Sequence, residues 1–161
     1  MPDIWYWIGW QKKTNGLWVS CPEGTACEVD IAGATVSLFK PSAKMNNSGL
    51  PTRQFLDRMG AAMTDCLVVH DEMDLPLGQV KLKLGGGDAG HNGLKSLIAS
   101  LGSHEIKRLR IGVRRPNNAK TAKDSVLQPF SNFDKTALEP GVDRAIDILL
   151  SEMAAPALCK S

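Results

Sequence analysis

A chain of 161 residues with 43% hydrophobic and 22% charged residues fits one soluble globular domain with a sizeable core. No run approaches the roughly 20 apolar residues of a transmembrane helix. Net charge is only +2, but residues 81–123 hold ten Lys or Arg against two acids, a local balance of +8, and the rest of the chain carries −6. That asymmetry fits a basic surface for a polyanion or, equally, a solvated cationic face without a partner.

In chain order, the first 25 residues show no convincing strand or helix period, and three of the four tryptophans fall in the first ten positions. Ile4-Trp5-Tyr6-Trp7-Ile8 is apolar but short, lacks a basic start and has no small-residue cleavage site, unlike a signal peptide. Residues 26–40 (ACEVDIAGATVSLFK) predict a hairpin turning near Ala32-Gly33. After a Ser- and Asn-rich loop, Ser48 is placed to cap a helix through Phe55, Leu56, Met59 and Met63. Leu67-Val68-Val69 has the character of a buried strand, and His70-Asp71-Glu72-Met73-Asp74 follows where that strand is expected to meet a loop. Val80, Leu82 and Leu84 alternate with Lys81 and Lys83, predicting one apolar and one cationic strand face. His91 to Leu101 reads as a helix with Leu94, Leu97 and Ile98 inward. Arg108 to Val113 alternates again, with Arg108 and Arg110 opposite Leu109 and Ile111. A last helix runs through Ala145, Ile146, Leu149 and Met153. These elements predict an α/β fold: a single domain with a mixed central β-sheet flanked by helices.

Taken residue by residue, the chemistry is open. Gly85-Gly86-Gly87-Asp88-Ala89-Gly90 satisfies a dinucleotide fingerprint formally, but a strand of alternating lysines precedes it and no acid follows about 20 residues on. Turn glycines that permit close backbone approach are the better reading. The acidic cluster, alone, is solvated loop charge, and no second ligand cluster supports a metal. Asn46 is a loop residue and Asn92 a helix cap on the same terms. Cys21, Cys27, Cys66 and Cys159 lack Cys-x-x-Cys spacing and read as free cytosolic thiols.

Three segments taken together say more: FKPSAKMNNSG, the block VVHDEMDLPLGQVKLKLGGGDAGHNGLKSL, and RLRIGVRRP. This pattern resembles bacterial-type peptidyl-tRNA hydrolases from about Ala26 to the end, dividing the chain into a divergent segment 1–25 and a hydrolase-like domain 26–161. The resemblance implies hydrolysis of the ester joining peptide to the tRNA 3′ ribose, with no metal and no organic cofactor. Asp71 would orient the catalytic base. Asn46 and Asn92 would contact the substrate and position water or the developing oxyanion. Lys81, Lys83 and Arg110 would hold acceptor-stem phosphates. A cytoplasmic, monomeric protein whose partner is peptidyl-tRNA, with no membrane association, is the expectation.

The resemblance stops in the first 25 residues. Family members open with a strand ending Gly-Leu-Gly-Asn-Pro-Gly and a Thr-Arg-His-Asn-x-Gly motif, whose histidine is the general base. Neither string is present. A misplaced start or frame change, or genuine divergence, would each account for this. Of the remaining histidines, His91 beside the cleft is the best substitute, His70 is expected on the strand face opposite Asp71, and His104 lies in a loop. The alternative to an active hydrolase is an impaired relative that binds tRNA or other RNA without cleaving it.

Overall fold

The computed structural model describes residues 6–10, 19–31, 34–114 and 130–154. The fold is α/β, and the described residues fall into two compact units. The larger comprises 6–10, 19–31, 34–68 and 84–108; the other comprises 69–83, 109–114 and 130–154.

In the larger unit, β1 (Tyr6–Trp10), β2 (Val19–Cys21), β3 (Gly24–Ile31) and β4 (Ala34–Pro41) lie in the order β2-β3-β4-β1 with antiparallel neighbours. The predicted hairpin is present: β3 and β4 pair from Gly24↔Pro41 to Ile31↔Ala34. Residues 1–25, where the sequence shows no convincing period, do hold strands. Tyr6–Trp10 pairs with β4, placing Trp7 opposite Phe39 and Trp10 opposite Val36, and Val19–Cys21 pairs with β3. Aromatic and β-branched residues favour a pleated surface; five residues were too few for their period to show.

Helix α1 (Gly49–Met59) ends where Gly60 adopts a left-handed φ of 61°. Met63 therefore falls outside the helix, in a separate turn Met63–Asp65, yet packs against the same core. Ser48 does not cap by its side chain; its Oγ donates backwards to the Met45 carbonyl at 2.9 Å. Helix α2 (Asn92–Leu101) packs on α1. Gly49 N–H donates to Ser96 Oγ at 3.0 Å, and a Cβ on Gly49 would overlap the Ser96 carbonyl. The core gathers Phe39, Phe55, Leu56, Cys66, Val68, Leu94, Leu97 and Ile106. Phe39 and Phe55 stack with centroids 4.0 Å apart, and each buried ring contributes about 1.5–3 kcal/mol. Burial pushes the Cys66 thiol up to about 12, with the Asp65 charge adding to it.

The smaller unit is built on β5 (Leu67–Pro76), β7 (Lys107–Arg114) and β6 (Val80–Leu84), in the order β5-β7-β6, with α3 (Asn132–Ala154). The first two residues of β5 and β7 and the last of β6 count with the larger unit. The acidic cluster does not lie at a strand end, because β5 continues to Pro76. On β6 only Val80 is buried; Leu82 and Leu84 are exposed, contrary to the predicted apolar face, because β6 is the terminal strand of its order. Ile146 likewise faces out. Among the described residues of α3 the buried ones are Gly141 and Ala145, four apart, and a Cβ on Gly141 would overlap the carbonyl of Gly78. Small residues set that approach, so the larger apolar ones lie elsewhere on the helix. Among the described residues no helix is long and apolar enough to cross a membrane.

Candidate functional site

The larger unit carries two exposed amides. Asn46 lies in the short 3-10 turn Met45–Asn47. Met45 packs against the core and the buried Ser48 fastens the other end of the turn, so Asn46 is left outward between two anchors. Asn92 is the first residue of α2, also exposed. The turn bearing Asn46 packs against α2, so both amides stand on elements held together by the core. An amide offers donors to an oxyanion without a charge of its own.

His91, not Asn92, caps α2: its Nδ1 accepts the Leu94 N–H at 3.3 Å. An accepting Nδ1 places the proton of the neutral ring on Nε2. The lone pair that a general base needs is therefore engaged by the helix. Ahead of the cap, Asp88 Oδ1 accepts from Gly90 N–H and its carbonyl accepts from His91 N–H, both at 2.8 Å. The glycine loop is fixed from below. Arg108, buried to 2% exposure, donates to the carbonyls of Gly87 and Gly86 at 2.7 Å each and to that of His104 at 3.4 Å. Arg108 is thus an internal strut and adds no charge to the surface, although its alternation with Leu109 resembled a solvent face. Leu109 is buried too, so β7 is covered on both sides there.

The smaller unit carries the charged residues. On β5 the alternation holds: His70 and Glu72 are buried while Asp71 between them is half-exposed. His70 Nδ1 donates to the Asp71 carbonyl at 2.6 Å, since a carbonyl only accepts. With the ring 1% exposed, His70 is withdrawn from any substrate. Lys81 and Lys83 are exposed on β6, side by side on one face.

Arg110 is partnered. Its Nε donates to Glu72 Oε2 at 2.9 Å and its Nη2 lies 2.9 Å from the same oxygen. Glu72 Oε1 accepts the Asp74 N–H at 3.2 Å. Burial alone would raise the Glu72 carboxyl, but the Asp74 amide and the Arg110 guanidinium outweigh it, with His70 contributing, and hold it below the usual carboxylate value. Sequence reasoning counted Glu72 only as part of an acidic run. Its place two residues from His70, on the buried face of β5, was the signal that set it apart. Arg115, Lys120 and Lys123, counted in the basic stretch, lie outside the described residues.

Comparison with known proteins settles what the motifs resemble. The family model for peptidyl-tRNA hydrolase matches residues 10–158. The chain belongs to the peptidyl-tRNA hydrolase family. Among its family relatives, the peptidyl-tRNA hydrolase of Geobacillus kaustophilus (strain HTA426) is 41% identical over 133 residues, covering 83% of this chain and 70% of the relative. That of Hydrogenobaculum sp. (strain Y04AAS1) is 39% identical over 121 residues, covering 75% and 64%. That of Bacillus subtilis (strain 168) is 36% identical over 148 residues, covering 92% and 74%. The chain thus spans about two thirds to three quarters of the length of these peptidyl-tRNA hydrolases. The crystal structure of peptidyl-tRNA hydrolase from Acinetobacter baumannii superposes with a TM-score of 0.71 at 31% identity, over 85% of this chain and 68% of that one. The family match begins at residue 10, well ahead of Ala26, and so takes in β2 and the start of β3.

Proposed function

We propose that this chain hydrolyses the ester bond of peptidyl-tRNA, returning tRNA from prematurely released peptides. The observation that carries the reading is the pair of exposed amides, Asn46 and Asn92, on a turn and a helix packed together in the larger unit. In this reading the amides position the attacking water and the carbonyl that becomes the oxyanion. Asp71 orients the base, and Lys81, Lys83 and Arg110 hold phosphates of the acceptor stem. Lys81 and Lys83 do so as mobile charges on an exposed strand, Arg110 as a fixed guanidinium. His91 can take up the base role only by releasing Leu94 N–H, which couples its chemistry to the start of α2. Free Cys21, Cys27 and Cys66 suit a reducing compartment, and we place the protein in the cytoplasm. No site residue need come from a second copy, so a monomer suffices.

The relatives carry the name of a hydrolase, which gives no support to the alternative of an impaired RNA-binding relative. The test is single-turnover release of peptide from labelled peptidyl-tRNA, with tRNA binding measured on the same samples. Asn46→Ala, Asn92→Ala and Asp71→Asn should retain folding and lose most hydrolysis, about 100-fold for an oxyanion donor. Loss of hydrolysis in His91→Ala with tRNA binding kept identifies it as the base; unchanged hydrolysis leaves it a helix cap. Binding without hydrolysis by the unmodified chain would sink the proposal.

A further inference from the structure

We propose that Glu72 is a positioning residue that aims Arg110 at a phosphate group of bound RNA. The inference rests on the reading above, in which Arg110 meets phosphate, and adds the group that sets its direction. An Arg fork has five N–H donors in one plane. Glu72 takes the Nε and Nη2 side through a single oxygen, Oε2. The Nη1–Nη2 edge, the one suited to two phosphate oxygens, meets no second acceptor among the described residues, and the side chain keeps 19% of its surface open. Glu72 itself cannot swing away, because its side chain is only 9% exposed and Oε1 is tied to the Asp74 amide. Anchored on one edge, the guanidinium keeps one orientation at little entropic cost on binding.

The pair is also neutral as a whole. Its value to binding is directional, and it adds little to the long-range attraction that salt screens. Lys81 and Lys83, exposed and outside any ion pair among the described residues, supply that attraction. This division of labour gives the test a signature that mere structural support lacks.

The experiment measures Kd for uncharged tRNA across a salt series for the unmodified chain, Glu72→Gln, Glu72→Ala, Arg110→Ala and Glu72→Ala/Arg110→Ala, with folding checked by circular dichroism. Glu72→Ala should weaken binding about tenfold at moderate salt and steepen the salt dependence, because Arg110 becomes a free, unaimed cation. Glu72→Gln, which keeps a carbonyl acceptor in nearly the same volume, should lose less and serves if the alanine variant does not fold. In the double variant the Glu72 change should cost nothing beyond Arg110→Ala, since Glu72 acts through Arg110. Wild-type affinity in both Glu72 variants beside weakened Arg110→Ala overturns the positioning role and leaves the phosphate contact standing. Unchanged binding in Arg110→Ala overturns the phosphate contact itself.

Discussion

The guanidinium of Arg108 and the carbonyl of Gly86 lie 2.7 Å apart across 22 positions of sequence, and the neighbouring Gly87 carbonyl is held at the same distance. This strut fixes the glycine loop that leads into α2. Arg108→Ala would leave three carbonyls without that donor and should destabilise the chain by about 3 kcal/mol. Arg108→Lys should recover only part, because one ammonium cannot reproduce the planar fork. Urea unfolding gives the loss. Faster hydrogen exchange over residues 85–92 would locate it, and native exchange there would mean that the loop is held by other contacts.

Two glycines in the larger unit should respond differently to the same substitution. A Cβ on Gly49 overlaps the backbone of Ser96, so Gly49→Ala must part α1 from α2, at about 3 kcal/mol. Gly60 has nothing within 4 Å of its Cβ position but sits at φ 61°. Gly60→Ala should therefore cost only the left-handed backbone, about 1 kcal/mol. Thermal unfolding of both variants checks the ranking, and equal shifts would refute the close approach of the two helices.

Acid should weaken the chain partly through Glu72. Its folded carboxyl titrates below the ordinary value of 4.5, so the unfolded chain binds a proton first as pH falls. The stabilisation is present in full above the ordinary value and disappears as pH drops through the folded one. Glu72→Gln has no such proton to take up. Unfolding free energies measured between pH 6 and pH 3 should fall more steeply for the unmodified chain than for Glu72→Gln, and parallel curves would contradict the assignment.

Binding of tRNA should carry the mark of the β6 lysines. Lys81→Ala and Lys83→Ala should each weaken binding at every salt concentration and lower the slope of log K against log salt by roughly one. A hydrolysis rate at saturating substrate close to wild type should accompany both. Slopes equal to that of the unmodified chain would remove the lysines from the interface.

Much of this was legible in the sequence because one physical signal dominated. Leu94 and Leu97 at helical spacing, the β3–β4 hairpin and the apolar opening of β5 each have a period that survives without neighbours. Where the readings went astray, a partner distant in sequence decided. Arg108 looked like a surface cation until Gly86 and Gly87 were seen to face it, and Leu84 looked inward until β6 proved terminal. Ile146 was expected in the core, but Gly141 and Ala145 make the approach that a larger residue would prevent. At the candidate site, the residue types were visible as motifs. That His91 spends its lone pair on a helix cap, and that Arg110 is held by Glu72, are facts of geometry that spacing cannot express.

The terminal position of β6 has a cost for a protein in concentrated solution. A strand with one side unpaired among the described residues offers a row of amides and carbonyls to a second copy, and Leu82 and Leu84 add apolar contact. Lys81 and Lys83, repeated in both copies, set charge against charge along that border and discourage zipping. Acetylation of those lysines, or crowding by anions that neutralise them, would lift the repulsion. The cations assigned to RNA would then also be the guard against self-association, and a variant stripped of them to silence binding would be the one most prone to precipitate.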